Sequence, residues 1–78
     1  MDDKTQMLNI FQELYDSEIN FSISTFWDGG FETKLGDDVN SFLAHTICDT
    51  MIEVAEFLKR SAIVYYPKSD FSKKYSVK

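Results

Sequence analysis

A single histidine and a single cysteine lie three residues apart in His45-Thr46-Ile47-Cys48, and that spacing decides whether they can act together. A thiol becomes a nucleophile when a base reaches it, which needs both side chains on one side of the backbone, an orienting third group and donors for a developing oxyanion. Residues three apart share a face in a helix and oppose one another in a strand. A zinc site would need further ligands from distant carboxylates. The plainer reading, a partly buried imidazole and a small apolar thiol, is the better one, and neither residue is assigned to catalysis or to metal.

A second group of candidates is made of oxygen. Asp37 and Asp38 sit in one turn, and Asp16 and Glu18 approach the same end of the hairpin predicted below. Hard cations take such ligands, but the spacing does not match a calcium-binding loop, and Asp is routine in turns and caps. As a hydrolase pair these carboxylates would need a groove and a raised pKa, which solvent-exposed loops do not supply. Gly29 and Gly30 are not a phosphate loop, because no Lys-Ser or Lys-Thr follows and no helix starts there. The chemistry points away from an enzyme, with no metal and no cofactor expected.

Size and charge narrow the remaining classes. A chain of 78 residues supports one domain with a small core. Seven Phe, four Tyr and one Trp are too many large apolar side chains for a disordered segment. No apolar run approaches the roughly 20 residues that span a bilayer, and Met1-Asp2-Asp3 lacks the basic start of a secretion signal, so a cytoplasmic protein with no membrane partner is expected. The net charge of -5 conceals a division. Residues 1–58 hold twelve carboxylates against Lys4 and Lys34, a net -10, whereas residues 59–78 hold six cations against Asp70, a net +5. An acidic body repels phosphate backbones and is drawn to basic protein surfaces. Direct nucleic-acid binding is disfavoured and would rest on the short basic end.

The elements that must position these groups follow from periodicity. Between Asp3 and Tyr15, Met7, Leu8, Ile10, Phe11, Leu14 and Tyr15 recur at helical spacing, which predicts an amphipathic helix with these six on its buried stripe. The period then changes to two. In "INFSISTFW" and "FETKL" apolar and polar residues alternate as strands with one buried face require. "SFLAHTIC" reads two ways: Leu43, Ile47, Met51, Val54, Leu58, Ala62 and Tyr65 keep helical spacing through it, but a third strand fits better, because Thr50 and Glu53 form a capping box that starts the next helix afresh and a lone hairpin is marginal. That helix, Met51 to about Tyr65, should bury Val54, Ala55, Leu58, Ala62 and Tyr65, and Pro67 stops it. The expected fold is α+β, α-β-β-β-α, a three-stranded antiparallel meander with two helices packed on one face. It forms a single domain over residues 1–67, followed by a basic C-terminal tail, residues 68–78, with a short turn before it frays.

The hairpin register separates buried from exposed side chains. A three-residue loop, Asp28-Gly29-Gly30, pairs Trp27 with Phe31, Thr25 with Thr33 and Ile23 with Leu35, so that the apolar faces agree; a two-residue loop would oppose Thr25 to Glu32 and Ile23 to Lys34. In this register Trp27, Phe31 and Leu35 face the core. Phe26, Asp28, Glu32, Asp37 and Asp38 are left pointing outward, and these five are the candidate partner-binding residues. Exposed aromatics rimmed by charge are the anchors that protein interfaces use.

The segment "FWDGGFETKLGD", followed by Phe42-Leu43-Ala44-His45-Thr46 and a helix closing in Tyr65-Tyr66-Pro67, resembles a group of small uncharacterised bacterial and phage proteins, a resemblance that implies no activity. The order of elements is similar to the double-stranded RNA-binding domain, but that family carries basic residues at the start of its second helix, where this chain has Asp49, Glu53 and Glu56. The small acidic build also resembles some phage anti-CRISPR inhibitors, which occupy basic nucleic-acid grooves with carboxylates. The expected function is therefore a small acidic, non-catalytic protein-binding module, an inhibitor of phage or mobile-element type that docks on a basic nucleic-acid-binding surface of a host defence protein. Two alternatives stand beside it: a structural or accessory module that homodimerises through an open sheet face or edge, and weak nucleic-acid binding through the basic tail.

Overall fold

The computed structural model describes residues 3–36 and 43–76. Within them the chain runs α1 (Asp3–Asp16), β1 (Phe21–Phe26), β2 (Gly30–Leu35), β3 (Ala44–Cys48), α2 (Met51–Tyr65) and α3 (Asp70–Tyr75). The strands form an antiparallel sheet in the order β1-β2-β3. One core joins Ile10 and Leu14 of α1, Leu35 of β2, Cys48 of β3, Val54 and Leu58 of α2, and Phe71 of α3. This is the expected α-β-β-β-α arrangement with a further short helix.

Local chemistry sets the boundaries. α1 ends where Glu18 turns left-handed, at φ 62°; the Ile19 N–H then bonds back to the Leu14 carbonyl at 3.0 Å, and both apolar residues are buried, as in a Schellman stop. At the start of α2 the Glu53 N–H donates to Thr50 Oγ1 (3.2 Å), and the Thr50 and Asp49 N–H groups each donate to Glu53 Oε1 (3.0 Å). That reciprocal cap separates α2 from β3 and explains why "AHTIC" is a strand despite continuous helical spacing through it.

The stripes are narrower than the sequence suggests. On α1 only Met7, Ile10, Phe11 and Leu14 meet the core, whereas Leu8 and Tyr15, expected on the buried stripe, are exposed. A helix in a two-layer domain buries an arc of about 100°, and these two lie at its margin. On α2 the buried row steps from Leu58 to Ala62 and on to Tyr66, which packs against the core, so Tyr65 is exposed rather than buried.

The hairpin register also differs from expectation. β1 pairs with β2 as Thr25 with Phe31, Ile23 with Thr33 and Phe21 with Leu35, and the loop is Trp27-Asp28-Gly29, closed by the Gly29 N–H on the Phe26 carbonyl at 2.9 Å. The shift is by two residues, so every side chain keeps its face, and alternation alone does not distinguish the two registers. What decides is Gly30. Its φ is +88°, and a Cβ there would sit 2.6 Å from the Cys48 carbonyl oxygen, so Gly30 takes the crowded ladder position against β3. Trp27, expected in the core, is thereby moved into the turn and is 98% exposed.

Residues 68–76 are more than a fraying tail. Ser69 caps α3, its Oγ accepting from the Ser72 N–H at 3.1 Å. Phe71 is fully buried. The Ser72 hydroxyl, also buried, is shared between the Tyr66 carbonyl (2.6 Å) and the Ala62 carbonyl (3.2 Å). Pro67 prevents α2 from continuing, so the last carbonyls of α2 need donors from elsewhere; α3 supplies one.

Candidate functional site

Parity divides the sheet into two faces. Phe21, Ile23, Phe31, Thr33, Leu35, Thr46 and Cys48 lie on the helix side, and Ser22, Ser24, Phe26, Glu32, Lys34, His45 and Ile47 lie on the other. On that outer face Phe26 is 53% and Ile47 61% exposed. Gly30 pairs with Phe26 and brings no side chain, and a Cβ there would stand 3.5 Å from Ile47 Cγ2. Phe26 leads directly into Trp27 in the turn.

At the hairpin tip Thr25, Phe26, Trp27, Asp28, Phe31 and Asp49 line a shallow open depression of about 570 Å³. Asp28 comes from the hairpin turn and Asp49 from the link between β3 and α2, so two carboxylates far apart in sequence rim one aromatic patch. Asp28 has no hydrogen-bond or ion-pair partner among the described residues. Large exposed aromatic side chains sharing a depression with unpaired charge match the residue types that interfaces use as anchors.

Glu32 sits further along the outer face and is differently placed. Lys34 Nζ lies 3.7 Å from one of its oxygens and His45 Nε2 lies 3.2 Å from the other. Its charge is already engaged, so it contributes less to an acidic surface than the sequence implies. His45 points outward while Cys48 is buried on the helix side; the imidazole and the thiol share no substrate space. Among the described residues no three His, Cys, Asp or Glu side chains converge as metal ligands, and no helix is long and apolar enough to cross a membrane.

A second polar cluster ties α3 to α1. Lys74 Nζ contacts a Glu13 oxygen at 2.5 Å, and the Tyr75 hydroxyl donates to the other. Lys59 and Lys74 Nζ stand 5.5 and 5.7 Å from the Tyr75 ring centre, within reach of its π face. Burial pushes the Glu13 carboxyl up, but the hydrogen bonds from Lys74 and Tyr75 and the Lys74 charge outweigh it and hold the group below its ordinary value. Burial, followed by the bond to Glu13 and its charge, pushes the Tyr75 hydroxyl up to about 12. This cluster carries charge, rings and a cleft of about 290 Å³, yet its groups satisfy one another.

Of the five candidate residues, Phe26 and Asp28 stand together at the hairpin tip, Glu32 lies paired on the same face, and Asp37 and Asp38 fall outside the described residues. Sequence reasoning missed Trp27, Ile47 and Asp49. Parity in "AHTIC" marks Ile47 once Cys48 is placed inward; nothing local marks Trp27, because the register that exposes it is settled by contact with β3. No protein-family model matches the chain, and neither a curated protein nor a solved structure matches it.

Proposed function

We propose that this chain is a small acidic, non-catalytic protein-binding module that docks its β1–β2 hairpin tip on a basic surface of a partner protein and there excludes nucleic acid. The observation that carries this reading is Trp27, 98% exposed beside half-exposed Phe26, with Asp28 and Asp49 rimming the same depression. Burying a tryptophan and a phenylalanine on a partner supplies the apolar centre that dominates binding energy. The carboxylates select a cationic rim and speed encounter with it. In a phage or mobile element such a module acts as an inhibitor of a host defence protein whose nucleic-acid groove has that character. The body that presents the tip is acidic, which disfavours nucleic acid as the direct ligand.

The test is capture from a lysate of the source cell with the wild-type chain and with two variants, Trp27→Ser and Asp28→Lys/Asp49→Lys. The expected result is a wild-type partner that both variants lose and that added duplex DNA or RNA displaces. Unchanged capture by both variants, or a partner indifferent to nucleic acid, would sink this reading.

A further inference from the structure

We propose that the free edge of β1 is a self-pairing surface, so that two copies join β1 to β1 antiparallel and form one continuous sheet with a hairpin tip at each end. β1 is the outer strand of the sheet. The Asn20 carbonyl accepts from the Gly36 N–H at 2.8 Å and the Phe26 carbonyl from the Gly29 N–H at 2.9 Å, so even-numbered positions direct their backbone groups towards β2. Alternation sends the N–H and C=O of Phe21, Ile23 and Thr25 the other way. No backbone group among the described residues meets them there.

Proteins ordinarily protect such an edge with lysine, proline, a bulge or an inward charge. β1, Phe21-Ser22-Ile23-Ser24-Thr25-Phe26, carries none of these and pairs with β2 without a break, in a chain of which 27% is charged. The opposite edge, β3, is shorter, bears His45 and leads at once into α2. The β1 sequence is also complementary to itself. A two-fold axis through Ile23 pairs it with Ile23 of the second copy and Phe21 with Thr25, so that the three outward positions of each chain form about six hydrogen bonds. Odd positions then meet odd positions. The half-buried Phe21 and Ile23 of both copies stay on the helix side, and a slip by one residue would mismatch the faces. On the outer face Ser22 meets Ser24.

Charge is kept off the same seam. Each copy carries -5, and a strand without ionisable side chains lets two such copies meet with no carboxylate directly opposed along it. Because the axis stands normal to the sheet, both tips open on the same face. A dimer would therefore engage repeated basic sites on one partner, with avidity set by their spacing; this consequence rests on the docking reading above, whereas the pairing itself does not.

Sedimentation velocity of the full chain over a wide concentration range tests the pairing. The wild type should show a monomer–dimer equilibrium. Ser22→Lys/Ser24→Lys sets lysine opposite lysine at two symmetric places and should weaken the dimer about tenfold. Ser22→Glu/Ser24→Lys puts the introduced glutamate opposite the introduced lysine and should restore it, which also shows that the two positions tolerate charge. A wild type that stays monomeric throughout, equal dimerisation of the double-lysine variant, or no recovery in the Glu/Lys variant overturns the proposal. None of these changes touches the tip, so failure here leaves the docking reading standing, and loss of capture by Trp27→Ser with the dimer intact separates the two in the other direction.

Discussion

The hairpin tip and the α1–α3 junction are built from the same residue types and put them to opposite uses. At the junction Glu13 is saturated by Lys74 and Tyr75, the Tyr75 ring lies tilted against Phe71 at 4.5 Å between centres, and Phe71 is buried. At the tip Asp28 has no ion-pair partner among the described residues and Trp27 is bare. Aromatic and acidic content therefore says little about function by itself. What differs is whether cations and apolar neighbours are brought up to meet it, and that is decided by α3 at one end and left undone at the other.

Phe71 carries the largest part of the difference between the two regions. Phe71→Ala should cost about 3–5 kcal/mol, the range for removing a buried ring, and in a domain this small urea should then unfold the chain without a cooperative native baseline. A mild effect would mean that α3 is an appendage after all. Next in size is Gly30→Ala, which meets both a left-handed φ and the Cys48 carbonyl at 2.6 Å; a loss of about 2–3 kcal/mol of unfolding free energy, read from urea titration, is expected. A neutral result would show that the tip tolerates another register.

The junction should also titrate. Glu13 has a folded pKa below its ordinary 4.5, so its contribution is present above that value and is lost as pH falls through the folded pKa. Glu13→Gln should cost roughly 0.5–1 kcal/mol at neutral pH after solvent screening and should flatten the acid side of a plot of urea midpoint against pH. Tyr75, raised from 10.0 to about 12, contributes fully below 10 and loses that contribution as pH rises towards 12; Tyr75→Phe should remove this alkaline loss.

The smallest expected effect is at the tip. Trp27→Ser should change stability by no more than about 0.5 kcal/mol, as for other exposed positions, while abolishing partner capture. Because Trp27 is the only tryptophan and is already solvated, its fluorescence should be quenched by iodide nearly as well before unfolding as after. A shielded indole would contradict the open tip.

Much of the fold is legible in the chain because the signals are local. Thr50 and Glu53 announce a helix start through bonds made within one turn, and alternation in "NFSIST" and "FETKL" assigns faces regardless of neighbours. The same alternation places Phe26 and Glu32 outward. It is silent on which of two equal-parity registers forms, and hence on Trp27. It is equally silent on Glu32, whose contact with His45 at 3.2 Å is made across to another strand, thirteen residues away. The Lys-rich end reads as a tail because its buried residues, Phe71 and Ser72, make contacts with α2 that no local pattern records.

The sequence by itself determines the order of elements from α1 to α2, the buried faces of β1 and β2, the capped start of α2 and the acidic character of the body, since each follows from periodicity, capping or charge within a few residues. Only the tertiary structure decides the hairpin register, the use of α3 as part of the core and the pairing state of each carboxylate. The physical reason is common to all three: each is settled where segments distant in the chain touch, at Gly30 against Cys48, at Ser72 against Ala62 and at Glu13 against Lys74.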